Sequence, residues 1–433
     1  MMEKKPLALL LAILMVMALA VTACSSPGSA KGSDDGQTTI NLWDNFISET
    51  EITNICTEEF IEEYTAAHPD VKIERHVLED SAYKSKLLTE FSGSASNIDV
   101  FAYWGAGRAG DLVDAGKLLC LDSYLEPDQV AAFKPGSEMN FLYDGKLYGV
   151  PQASWMLVLY CNNELFEQYG VKLPGTYDEL LDACKAFAAT DVCPIALGGG
   201  KDDAWLAAFV YEGLANRLVG AEDEMAVLNS LSGFAGNPGF SEAAAKMIEL
   251  QAAGAFGRNP LEIDEGTADA QFISGAAAMR LNGSWFTDGI YSDEESVVAG
   301  KVSALPFPMV DGGKGKPTDY VGGFIDGYFI NKETANPEIA VDFAYGLSVA
   351  MCKAAHETGE GFTAYTYPVD ESGLPPLAVE LADLADRMDE GVLAWDTFLP
   401  GDLADIHLNA CQALLGANSD VQKFMDAYQE IFG

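Results

Sequence analysis

The tightest constraint on this chain lies between Thr39 and Tyr103, where two hydrophobic periods take turns. Thr39-Ile40-Asn41-Leu42-Trp43 alternates with the period of a strand. From Glu49 to Ala67, Ile52, Ile55, Phe60, Ile61 and Tyr64 fall near one face of a helix, which His68-Pro69-Asp70 stops. Val71 to Val77 alternates again, and a helix over about 80–91 leads into the apolar run Ile98-Asp99-Val100-Phe101-Ala102-Tyr103. Strands that alternate with helices predict an α/β lobe whose mainly parallel sheet is covered on both faces.

The remainder reads less evenly. Residues 144–160 predict two short strands around Pro151. Helices dominate from about 163 to 290, with Phe166, Leu180, Leu181 and Phe187 as core candidates. Strands return at Val302–Leu305 and Asp326–Ile330, and helices close the chain near 337–349, 375–388 and 419–431. At 433 residues the length suits two or three domains, and 49% hydrophobic against 21% charged residues is globular composition. With 25 Lys+Arg against 66 Asp+Glu the formal charge is −41. Such a chain repels phosphate backbones, so nucleic acid is excluded as a sequence-independent partner.

The N-terminus reads as an address. Lys4 and Lys5 precede a 15-residue uncharged run, Leu7 to Val21, short of the roughly 20 residues that a spanning helix needs. It has the form of a signal peptide over residues 1–23. The run closes on Val21-Thr22-Ala23-Cys24, which resembles the lipobox of bacterial lipoproteins. That resemblance implies a diacylated Cys24 holding the protein at the outer face of the cell membrane, outside the cytoplasm. Residues 24–38 carry no large apolar group and read as a flexible tether. The seven later cysteines are scattered, and one bridge, Cys184–Cys193, is open to formation.

Signatures of catalysis, metal and nucleotide binding do not stand out. Of the four histidines, His68, His76, His356 and His407, none sits in a zinc-binding motif, and no nucleophile elbow occurs. Gly198-Gly199-Gly200-Lys201 fails as a phosphate loop because Asp202 follows the lysine. The expectation is therefore no enzyme, no cofactor and no metal. The six tryptophans are more informative, since all lie near turns or element ends. Ligand sites of open α/β sheets form at the carboxyl ends of strands, and aromatic faces there suit the C–H faces of a sugar ring.

Several blocks together resemble the extracellular solute-binding proteins, family 1, that serve sugar-type ABC importers. They are the opening strand with Trp43 and the helix ending at His68-Pro69-Asp70, then Asp144-Gly145-Lys146-Leu147-Tyr148-Gly149-Val150-Pro151 and Leu159 to Phe166. Tyr169 to Leu180 follows as the most specific stretch, then Phe272 to Met279 leading into Asn282-Gly283-Ser284-Trp285. Leu305-Pro306-Phe307-Pro308, Gly322-Gly323 and Asn336 to Ala340 complete the set. The resemblance implies a two-lobed periplasmic-binding-protein fold with three hinge crossovers and the ligand in the cleft. Lobe one would be about 39–152 plus 306–346, and lobe two about 153–305 plus 347–433. It implies a monomer that captures a sugar or oligosaccharide by hinge closure and delivers it to the permease subunits of an ABC importer. Trp104, Arg108, Trp155, Trp205, Trp285 and Trp395 would meet the ligand, with Asp44, Asn45, Asn282, Asp326 and Asp396 as hydroxyl partners. Trp43 is expected beneath the lobe, and Gly107 stands where some members have Asp. The same fold could instead hold a polyol, glycerophosphodiester, peptide or polyamine, and a lipoprotein glycoside hydrolase is the rival from another class.

Overall fold

The computed structural model describes residues 37–48, 51–200, 203–359, 361–367 and 374–433; the expected signal peptide over 1–23, Cys24 and almost all of the expected tether lie outside them. The described residues form eleven strands: β1 Thr38–Asp44, β2 Val71–Val77, β3 Val100–Trp104, β4 Leu142–Tyr143, β5 Lys146–Leu147, β6 Gly149–Asn162, β7 Cys193–Ala196, β8 Ala277–Gly283, β9 Val302–Leu305, β10 Asp319–Ile330 and β11 Glu390–Val392. Nine of them join in the order β2-β1-β3-β10-β6-β8-β7, with β11 on β10 and β9 on β6.

The alternating segments fold as their periods dictate. β1 pairs in parallel with β2 and β3, and the intervening helices Ile52–Ala67 and Asp80–Ser92 make the crossovers. Toward the middle the sheet turns antiparallel, at β3–β10, β10–β6 and β6–β8, before β7 and β8 pair in parallel. The sheet is thus mixed rather than mainly parallel.

β6 and β10 are long because they serve two cores. Val150 packs with Ile40, Leu42, Phe101, Phe329 and Leu347 in one, while Leu157 and Leu159 pack with Phe187, Leu206, Trp395 and Tyr428 in the larger other. On β10, Val321 and Ile325 belong to the larger core and Tyr328 to Ile330 to the smaller. Helix Pro337–Thr358 places Met351 in the smaller core, while Leu377 packs with Phe272 and Phe286 in a cluster of its own. Phe307 and Val310 also pack in the larger core, although the resemblance places residues 306–346 in lobe one.

Pro151 does not split β6 as its missing N–H predicts. It stands opposite Gly327, where the β6–β10 register shifts between Asp326 and Gly327, so the irregular ladder absorbs the missing donor. Gly322 and Gly323 are strand residues with φ of 139° and 145°, and a Cβ on Gly322 would stand 2.2 Å from the Trp155 carbonyl oxygen. Glycine there permits a close backbone approach. Trp43 is buried as expected and donates its indole N–H to the Asn97 carbonyl at 2.9 Å. Cys184 and Cys193 are unbridged. Among the described residues no helix is long and apolar enough to cross a membrane.

Candidate ligand-binding site

A cavity of about 840 Å³ opens between the two cores. One wall is aromatic. Trp155 comes from β6, Trp205 and Phe209 from helix Ala204–Val219, and Trp285 from the turn after β8. Trp155 lies edge-on to Trp285 at 5.0 Å between centroids and parallel to Phe209 at 5.3 Å; Trp205 meets Phe209 edge-on at 5.1 Å. Trp205 and Phe209 are four residues apart, one turn along the same helix face. The Asn-Gly-Ser-Trp turn shapes this wall: a Cβ on Gly283 would stand 2.0 Å from the Trp285 ring, so only glycine lets that ring lie back over the strand end.

Trp104 lines the cavity from the end of β3, where Lys84 Nζ lies 4.7 Å from its ring centroid and the Arg108 guanidinium 5.6 Å. Lys84 is held by Asp80 at 2.6 Å, and Asn45 donates to the same carboxylate at 3.0 Å. Arg108, on helix Ala106–Asp114, donates to Asp396 at 3.0 Å, so elements packed in different cores meet at the cavity. A Cβ on Gly107 would fall 2.1 Å from the Phe398 carbonyl oxygen. The close approach of this helix to residues 398 and 399 therefore leaves no room for a side chain such as Asp at this position.

Ten carboxylates, among them Asp80, Asp203, Glu265, Asp269, Asp326 and Asp396, line the cavity against two cations, Lys84 and Arg108, among the described residues. Burial and the neighbouring Asp269 push Glu265 well above the usual carboxylate range, against the pull of Arg280 and Asn282. Burial also raises Asp269, although Arg280 Nε donates to it at 2.7 Å. Burial lifts Asp326 to about 7, helped by Asp80 and opposed by Lys84 and Trp104. The cavity thus pairs broad apolar faces with many hydrogen-bonding carboxyls, and no group of His, Cys, Asp and Glu among the described residues is arranged to hold a metal ion.

Of the residues expected to meet a ligand, Trp104, Arg108, Trp155, Trp205, Trp285, Asn45, Asp326 and Asp396 do line the cavity. Three expectations need correction. Asp44 is fully buried at the end of β1 and takes a two-pronged ion pair from Arg75, Nε at 2.7 Å and the second amino group at 2.9 Å. Asn282 is also buried: its carbonyl oxygen accepts from the Gly283 N–H, and its amide donates to Glu265 at 3.2 Å, so it orients a cavity carboxyl instead of facing the cavity itself. Trp395 has no exposed surface and packs among Tyr211, Phe240 and His407. Phe209, Lys84, Asp80, Asp203, Glu265 and Asp269 went unforeseen. The Trp205 spacing could have flagged Phe209, whereas single acids in so acidic a chain carry no signal.

A sequence profile of the bacterial extracellular solute-binding proteins matches residues 49–344. A solved structure from a study of xylan utilization by the thermophilic bacterium Caldanaerobius polysaccharolyticus is 32% identical, covers 91% of this chain and 99% of its own, and superposes with a TM-score of 0.86. A chitin oligosaccharide binding protein superposes with a TM-score of 0.81 at 23% identity, over 91% of this chain and 99% of its own. The GacH receptor of Streptomyces glaucescens, solved unliganded and with acarbose, gives 0.72 at 20% identity, over 92% and 98%. At those identities the last two carry the fold alone, that of the two-lobed solute-binding proteins. A binding protein of Brucella abortus (strain 2308) is 31% identical over 130 residues, 30% of this chain and 31% of that protein. The match thus spans about a third of the length of such curated relatives.

Proposed function

We propose, since this chain belongs to the bacterial extracellular solute-binding proteins, that it captures an uncharged oligosaccharide between its two lobes and hands it to the permease of an ABC importer. The observation that carries this reading is the wall of Trp155, Trp205, Phe209 and Trp285, set in one cavity with Trp104 and a ring of carboxyls. Aromatic faces stack on the apolar faces of sugar rings, while carboxyls take up the hydroxyls that project from the ring edges. About 840 Å³ is ample for several sugar units. A xylan-derived oligosaccharide is the first candidate, because the 32% identical structure comes from work on xylan utilization.

Closure of the lobes around the solute is the mechanism. The strands β6 and β10, which run through both cores, act as the hinge, and the ligand stabilises the closed shape by contacting both lobes. The carboxylate-rich lining speaks against a glycerophosphodiester, whose phosphate would find both described cations already paired. It favours, as second reading, a cationic solute such as a polyamine. Diacylation of Cys24 would anchor a monomer outside the cell, and Cys24→Ala should release it into the medium.

Calorimetry on the chain from Ser25 onward, against xylo-, cello- and chito-oligosaccharides and polyamines, tests the reading. Saturable binding of a saccharide recovered intact supports it. A cleaved saccharide would replace it with a hydrolase, and a response to polyamines alone with a receptor for cations.

A further inference from the structure

Behind the cavity wall, helices Ala204–Val219, Ala221–Ser230 and Gly401–Leu414 bring Glu212, Glu224 and His407 together, all without solvent exposure. They converge on Trp395. Glu212 Oε1 accepts the Trp395 backbone N–H at 3.0 Å, and Glu224 Oε1 accepts its indole N–H at 2.8 Å. The His407 ring stacks on the indole at 5.3 Å between centroids, and its Nε2 meets Glu212 Oε1 at 2.9 Å. Asn216 donates to the second Glu224 oxygen at 3.3 Å, and the Tyr428 hydroxyl meets His407 Nδ1.

Two carboxyls buried this way cost more than apolar side chains of the same size would. What they hold explains their placing. Trp395 is followed directly by Asp396 and Thr397, which line the cavity, and Asp396 takes the Arg108 guanidinium from the facing element at 3.0 Å. Trp395 is therefore the handle by which the larger core grips the segment that reaches across.

We propose that Glu212 and Glu224 are positioning residues, which grip Trp395 from behind the wall so that Asp396 stands in register with Arg108 and thereby set saccharide affinity without touching the ligand. The grip on the Arg108–Asp396 pair follows from the geometry alone; the effect on affinity rests on the proposed function.

The test measures both. Arg108→Met and Asp396→Asn form a double-mutant cycle, read in urea denaturation, in the native background and in Glu224→Leu, which deletes the acceptor for the indole. The expected coupling is tenfold or more in the unfolding constant of the native background and under threefold in Glu224→Leu, with saccharide affinity down at least tenfold. Glu224→Gln keeps an acceptor at that place and should retain both within threefold. Trp395→Phe, which removes the indole N–H and keeps an aromatic ring, should repeat the losses and serves if Glu224→Leu does not fold. Coupling that persists in Glu224→Leu or Trp395→Phe overturns the positioning role, because general loosening of the core would change stability alone. Coupling that falls while affinity holds overturns the link to the ligand. Coupling that falls in a protein for which no saccharide binds even the native form leaves the positioning role standing and overturns the proposed function.

Discussion

Glu224→Gln should make the folded protein progressively more stable than the native one as pH rises. Glu224 has no solvent-exposed surface. Burial moves its carboxyl from 4.5 up to about 8; the Trp395 indole and Asn216 amide pull it down, while Glu212 and Asp319 push it up. Because the folded value lies above the unfolded one, the folded chain keeps a proton that the unfolded chain has released. Stability from this group is intact below about 4.5, falls as pH rises, and levels off beyond about 8. At 1.36 kcal/mol per pH unit the span amounts to about 5 kcal/mol, comparable with the whole stability of many domains, about 5–15 kcal/mol. The amide keeps an acceptor for Trp395 and does not titrate here. His407 also titrates: burial opposes its charge, but Cys411 and Glu212 hold it up to about 10. Its contribution is present below 6.5 and lost toward about 10, and, being common to both proteins, it largely cancels. Urea denaturation of both proteins at pH 5 and pH 8.5 is the assay. The advantage of the variant should grow by about 3–5 kcal/mol between the two conditions. An equal difference at both pH values would refute a proton-holding carboxyl in a dry interior.

Other perturbations probe the cavity directly. Trp285→Ala should weaken saccharide binding ten- to hundredfold, about 1.4–2.8 kcal/mol in calorimetry, whereas an unchanged affinity would remove this ring from the site. Gly107→Ala drives a Cβ into the Phe398 carbonyl and should cost about 1–3 kcal/mol; a melting temperature equal to that of the native protein would contradict the close approach. An oligosaccharide bearing a uronic acid should bind at least tenfold more weakly at low salt than its carboxyl-reduced counterpart, because both described cations of the lining are engaged by Asp80 and Asp396. Equal affinities would mean that the carboxylates do not set the local field.

Much of this fold was legible because local periods and stop signals agree with it. β2 spans Val71–Val77 as its alternation predicts, and β9 coincides with Val302–Leu305. Short strands within the helical half, β7 and β8, escaped notice. β8 is Ala277–Gly283, buried along its whole length, so it shows no alternation to read. Helix Gly401–Leu414 was missed as well, although it carries His407 into the network behind the wall. The site divided along the same line. Tryptophans at element ends marked the aromatic wall, but Trp395 has the same sequence setting and faces inward. Its direction depends on Glu212 and Glu224, nearly two hundred residues away in sequence, a relation that no local pattern encodes.

Four of the six tryptophans line one cavity, and the other two, Trp43 and Trp395, are sealed in the cores. The near-ultraviolet emission of the protein therefore comes in large part from the indoles of that cavity, over the background of the two sealed ones. Indoles 5.0 and 6.0 Å apart, as Trp285 is from Trp155 and Trp205, exchange excitation readily, so a guest against any one of them alters the light of the group. On the proposed function, the chain carries a built-in optical gauge of its own occupancy, one that needs no dye, label or antibody.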